Sequence, residues 1–204
     1  MLGRQVEFTT AHALEVGADV IVVEDCGWLS ASRGLAATLD SLYPELRAQR
    51  EQALEEHGGA FGLGDAIVCR LSAAASGLQA VIWAVTYTYQ PQVGHGSDRV
   101  RATPLDVASA TTNALRAAAA MSAQHVVMPA IGTRTDHHVL PPVPKKLPRY
   151  VMGAAQLVAI NQLLAADNTL QRITLALTQR DYMIFHELLG SKPANTGAED
   201  DGDD

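Results

Sequence analysis

Short β-branched runs separated by helical segments constrain this chain more than any other feature of its sequence. Val20-Ile21-Val22-Val23 lies uninterrupted between Gly17 and Gly27, the pattern of a strand buried on both faces. Ala66–Leu71, Ala80–Tyr87, Val126–Met128 and Ile173–Leu177 are similar, and Gln5–Phe8 is a weaker candidate. Helical segments separate most of them. Gly34–Leu42 and Pro44–His57 read as two helices, because Pro44 is tolerated only in a first turn. Thr103-Pro104-Leu105-Asp106 opens a long Ala-rich helix that ends near Ser122, with Thr103 as N-cap, Pro104 at N1 and Asp106 at the positive helix end. Tyr150–Ala165 and Asp181–Leu189 complete the helical set. Strands alternating with helices predict an α/β protein, a three-layer α/β/α sandwich with a largely parallel or mixed central sheet.

The 204 residues suit one domain of ordinary size, expected over 1–190. An apolar fraction of 48% against 18% charged supplies a sizeable core, and only 5% aromatic residues make that core aliphatic. The net charge of −7 is concentrated in Glu199, Asp200, Asp201, Asp203 and Asp204, and without them about −2 remains. Residues 191–204 combine Pro, Gly and acid without apolar periodicity and are expected to be a disordered tail. The body is thus near neutral and its only lysines are Lys145, Lys146 and Lys192, which argues against a nucleic-acid surface. Cys26 and Cys69 are too few for a disulfide framework or a four-thiolate zinc site. Met1 to Phe8 lacks the order of a signal peptide, and Leu78 to Val85 is too short to span a bilayer. A soluble cytoplasmic protein without a membrane partner is expected.

Ligands in open α/β sheets bind beyond the carboxyl ends of the strands, which singles out Glu24–Gly34 and Pro129–Pro148 as loops facing a crevice. Four prolines in Pro141–Pro148 are expected to prevent regular structure there. Gln90–Arg101, with Gly94, Gly96 and Ser97, is expected to be a mobile excursion. Cys26 reads as a buried thiol or, alternatively, a reactive one. Glu24-Asp25 reads as a solvated turn or as a carboxylate pair near a ribose or metal. Asp136-His137-His138 has metal-ligand residue types, with His12 as a conceivable partner, but adjacent loop positions rarely converge on one ion, and no metal is assigned. Trp83 reads as core. Gly34 precedes a helix whose N-terminus attracts anions.

The order of elements and five short strings resemble the macro domain, the ADP-ribose-binding α/β/α module, from about Val6 to Leu189. Asp19-Val20-Ile21-Val22 is similar to the strand before the family's Asn-Ala-Ala-Asn turn. Leu29 and Gly34-Leu35-Ala36 fall at the spacing of the glycine-rich first phosphate loop. Gly64-Asp65-Ala66-Ile67-Val68 and Val81-Ile82-Trp83-Ala84-Val85 resemble the next two strands. Pro129-Ala130-Ile131-Gly132-Thr133 is similar to the entrance of the second phosphate loop.

The positions that contact ligand in that family depart from its pattern. The adenine-reading Asp becomes Ala11, the second Asn becomes Cys26, the triple glycine becomes Ser32-Arg33-Gly34, and the second loop becomes Arg134-Thr135-Asp136-His137. Thr178 stands where an aromatic often stacks on adenine. The resemblance therefore implies a divergent module that binds ADP-ribose or a related nucleotide through phosphate-loop backbone amides, with no cofactor and no assigned catalytic residue. The ligand-binding candidates are Cys26, Arg33, Gly34, Leu35, Ala36, Ile131, Gly132, Thr133, Arg134 and Asp136. Two alternatives stand beside it. One is a protein-interaction scaffold that has lost nucleotide binding. The other is an ADP-ribosyl hydrolase using Asp136, His137 or Glu24 as a non-standard base.

Overall fold

The computed structural model describes residues 5–30, 33–72, 77–91, 97–133, 147–166 and 169–190. The elements are β1 (Gln5–Thr9), β2 (Val20–Cys26), α1 (Leu35–Leu42), α2 (Glu45–His57), β3 (Ala66–Arg70), β4 (Ala80–Pro91), β5 (Ser97–Arg101), α3 (Pro104–Ala120), β6 (His125–Met128), α4 (Leu147–Ala166), β7 (Arg172–Ala176) and α5 (Gln179–Leu188), with a 3₁₀ turn at Ala13–Glu15. The strands form one mixed sheet in the order β1-β7-β6-β2-β4-β3, with β5 also pairing β4. β1, β7, β6, β2 and β4 run parallel, while β3 and β5 lie antiparallel to β4.

The alternation of side chains along each strand divides the core into two layers. Val20, Val22, Ile82, Val126, Ile173 and Leu175 face Val107 and Leu115 of α3, Ile160 of α4 and Phe185 of α5. Ile21, Val23, Val81, Trp83 and Val127 face Leu39 of α1 and Leu46 of α2. Helices thus cover both sheet faces, which is why the strands read as continuous apolar runs. The Ala-rich composition of α3 serves the first layer: Ala110, Ala114 and Ala118 are fully buried, so the helix axis can approach the sheet closely. Its start carries the full capping box between Thr103 and Asp106, and its chain reverses at Ser122, in the left-handed region at φ 61°.

Three local expectations are corrected. Gln90–Arg101 contains the end of β4 and the whole of β5, paired in register from Tyr87–Arg101 to Pro91–Ser97. The β-forming run Thr86-Tyr87-Thr88-Tyr89 extends the strand, a signal obscured by the glycines that follow. Pro148 does not end the irregular loop. It lies in the first turn of α4, where a missing N–H is harmless, and α4 begins at Leu147. Glu24 and Asp25 belong to β2 rather than to a solvated turn. The 191–204 tail and Lys145-Lys146 lie outside the described residues.

Trp83 is wholly buried, and the Arg50 guanidinium stacks over its ring at 4.2 Å while bonding Asp40. This polar node joins α1, α2 and β4 beneath the sheet. Among the described residues, no helix is long and apolar enough to cross a membrane.

His125, at the start of β6, is also buried. Its Nε2 lies 2.9 Å from Thr174 Oγ1, and its Nδ1 lies 3.1 Å from the Gly17 carbonyl and 3.0 Å from Arg172 Nη2. Burial lowers its pKa below the usual 6.5, with the Arg172 charge acting in the same direction and Gly17, Asp19 and Glu7 opposing. The unfolded chain therefore takes up this proton more readily than the folded one. The associated stability is complete above about pH 6.5 and is lost as pH falls through that value toward the folded pKa. Urea unfolding is expected to show lower stability below pH 6 than above pH 7, and His125→Gln should flatten that dependence.

Candidate functional site

Four parallel strands, β7, β6, β2 and β4, end on the same edge of the sheet, and the loops that leave them enclose a cleft of 640 Å³. That volume suits a small-molecule ligand. Its wall follows the strand order. Ala176, Thr178, Arg180 and Asp181 come from the β7 end, with Arg149 from the start of α4. Pro129, Ala130 and Thr133 follow β6, Val23 and Glu24 belong to β2, and Tyr87 and Tyr89 belong to β4. Ser30, Arg33, Leu35 and Ala36 close the site from the loop after β2 and the first turn of α1.

The first turn of α1 lines the cleft through Leu35 and Ala36. Its N-cap is Gly34, at φ 59° and ψ −137°, a conformation that costs a side-chain-bearing residue dearly. Glycine also brings no side chain to cap the helix, and among the described residues no side chain accepts the Leu35 or Ala36 N–H. These donors add to the partial positive charge of the helix end. Exposed Arg33 stands immediately before them.

The turn after β6 is differently committed. The Ile131 N–H donates to Gln156 Oε1 at 3.0 Å, and the Gly132 N–H donates to Glu24 Oε1 at 3.1 Å. The same Glu24 oxygen accepts from Thr86 Oγ1 at 2.6 Å. The bond to the Glu24 carboxylate is worth about 1.5–3 kcal/mol and the one to the neutral Gln156 amide about 0.5–1.5 kcal/mol, so these amides are not idle donors. Gly132 is required for packing: at φ 71°, a Cβ there would come within 2.6 Å of Val107 Cγ2 in α3. The expectation that both phosphate-type loops offer main-chain amides is thus corrected at Ile131 and Gly132, where side chains from α4 and β2 take the donors.

The two arginines of the β7 end differ in their freedom. Arg149 Nη1 bonds Asp181 Oδ1 at 2.8 Å, and Asp181 is further held by Thr178 Oγ1 at 2.7 Å. Thr178 is the N-cap of α5, so its threonine is explained by capping. Arg180 is exposed on the same wall.

The structure therefore brings Arg33, Leu35, Ala36 and Thr133 together on the cleft, with Gly34 at its edge. Cys26 and Ile131 do not reach it. Cys26 is 1% exposed, with Sγ 3.1 Å from Ser30 Oγ, at the point where the β2–β4 register shifts and Thr86 of β4 has no partner in β2. Ile131 is fully buried in the α3–α4–α5 layer. Arg134, Asp136 and the His137-His138 pair lie outside the described residues. His12 caps the 3₁₀ turn through its Nδ1, and among the described residues no cluster of three or more His, Cys, Asp or Glu could hold a metal. Sequence reasoning missed Arg149, Arg180, Tyr87 and Tyr89. A helix start at Pro148 and the alternation of Tyr87 and Tyr89 were the available signals.

Comparison with solved structures adds an independent view of this arrangement. The Oceanobacillus iheyensis macrodomain, in a structure with ADP, superposes with a TM-score of 0.67 at 20% identity, covering 91% of this chain and 90% of that one. The chain has the macrodomain fold. The macro domain of ganglioside induced differentiation associated protein 2 matches with a TM-score of 0.67 at 15% identity, over 91% of this chain and 82% of that one. The macrodomain of Mycobacterium tuberculosis DarG matches with a TM-score of 0.59 at 14% identity, over 85% and 98%. No protein-family model and no curated protein matches the sequence.

Gly132→Ala is expected to destabilise the macrodomain fold by about 2–4 kcal/mol, from the left-handed backbone and the contact with Val107 combined. Chemical denaturation measures this directly, and a neutral effect would mean that the α3 packing yields.

Proposed function

We propose that the chain is a divergent macrodomain-fold module that binds ADP-ribose or a related nucleotide, with its phosphates at the first turn of α1. The observation that carries this reading is the placement of the uncapped first turn of α1 on the wall of the 640 Å³ cleft beside Arg33. A helix start presents N–H groups and positive potential to an anion, and guanidinium pairs with phosphate oxygens. The fold gives supporting context, since an O. iheyensis macrodomain mutant of the same fold has a structure with ADPR. In this reading Pro129, Ala130 and Thr133 line the cleft after β6, and the Ile131 and Gly132 amides do not supply the main phosphate donors.

A second reading has its own support. With the Ile131 and Gly132 amides held by Gln156 and Glu24, a protein-interaction scaffold that has lost nucleotide binding explains the same contacts. Thermal unfolding with ADP-ribose, NAD or AMP separates the two. Ligand at about 100 times its dissociation constant adds about 2.7 kcal/mol, or roughly 5–10 °C for a chain of this size. Absence of any shift favours the scaffold.

If a nucleotide binds, Arg33→Ala is expected to weaken it about tenfold, from loss of one charge-assisted contact. Because Arg33 is exposed, the unliganded melting temperature should not change. Titration calorimetry on the variant reads the affinity, and an unchanged dissociation constant would move the phosphates away from α1.

A further inference from the structure

Opposite ends of the cleft carry different chemistry. Sheet order places β7, β6, β2 and β4 side by side, so adjacent spacings of about 4.8 Å put roughly 14 Å between the first and last of these strands. Arg180 and the Arg149–Asp181 pair stand at the β7 end. Glu24, Tyr87 and Tyr89 stand at the β2–β4 end.

The β2–β4 end has the makings of a cation site. Glu24 is fixed in place, because Oε1 accepts from both Thr86 Oγ1 and the Gly132 N–H. Its second oxygen has no hydrogen-bond partner among the described residues, and no described Arg or Lys pairs with it. Tyr87 and Tyr89 lie two residues apart on one face of β4 with ring centroids 6.0 Å apart at 87°. They are the only aromatic side chains on the cleft wall among the described residues. Ring faces attract organic cations, and a neighbouring carboxylate adds to that attraction. By the same logic, Glu24 disfavours a second phosphate at this end.

We infer that the β2–β4 end of the cleft receives a planar organic cation covalently joined to the phosphate-bearing part of the ligand, and that Glu24 sets this preference. A pyridinium dinucleotide has that chemistry. The inference rests on the nucleotide reading and deepens it, by naming the class of nucleotide: one that carries a positive ring in addition to the phosphates seated at the first turn of α1. Glu24 is a specificity-determining residue, with no role in catalysis assigned to it.

NAD⁺ and NADH test this directly, because they differ in ring charge while sharing the rest of the molecule. Calorimetric titration of the full chain with NAD⁺, NADH and ADP-ribose is expected to give NAD⁺ the tightest binding, about tenfold over NADH. Glu24→Gln keeps an oxygen acceptor for Thr86 and Gly132 while removing the charge, so it should preserve the fold and bring the NAD⁺/NADH ratio below about threefold. Equal or tighter binding of NADH and ADP-ribose to the native chain overturns the inference while leaving the nucleotide reading intact. A Glu24→Gln variant that melts like the native chain yet retains the full ratio also overturns it. Failure of all three compounds to bind the native chain overturns both the inference and the nucleotide reading. Should Glu24→Gln not fold, the native-chain comparison still decides between these outcomes.

Discussion

One carboxylate ties the functional edge of this protein together. Glu24, on β2, holds through a single oxygen the hydroxyl of Thr86 on β4 and the main-chain N–H of Gly132 after β6. The neighbouring strands β2 and β4 and the turn after β6 are thereby fixed relative to one another beside the cleft. The geometry depends on Gly132, whose missing Cβ leaves room for Val107 of α3. A contact on one side of the sheet edge is therefore tied to helix packing on the other.

That arrangement alters what the cleft offers a ligand. An amide turn facing a cavity would ordinarily be an anion cradle, but here its Ile131 and Gly132 donors serve Gln156 and Glu24. Positive potential is left at the α1 start with Arg33 and at the β7 end with Arg180. Negative charge and aromatic rings gather at the β2–β4 end. The macrodomain fold thus supports a cleft with unlike ends, and this polarity is the property on which recognition would turn.

Much of the fold was legible in the sequence. Six of the strands and all five helices follow from apolar runs and capping residues such as Thr103 and Pro104. The hairpin partner β5 was not, because its Ser-Asp-Arg-Val-Arg stretch gains its strand identity only by pairing with β4. Arg149 was hidden for a related reason: the proline before it reads as an irregular loop until a helix is seen to begin there. Cys26 was placed at the cleft by its position in the chain, but its side chain is buried against Ser30. In the candidate site, Gly34 was legible as the residue before a helix start, and Arg33, Leu35 and Ala36 through the resemblance of their spacing to the macro domain's first phosphate loop.

The sequence by itself determined the alternating strands and helices, the aliphatic two-layer core and the helix start at Gly34. Local sterics and hydrophobic periodicity act over a few residues and leave their record there. Tertiary structure alone decided the commitments of the main-chain donors, the meeting of Glu24 with Gly132 across 108 positions of chain, and the separation of Arg149 and Arg180 from the tyrosines along the cleft. Those outcomes depend on which strand ends become neighbours in the sheet, and hydrogen bonds between distant residues leave no periodic trace in the order of amino acids.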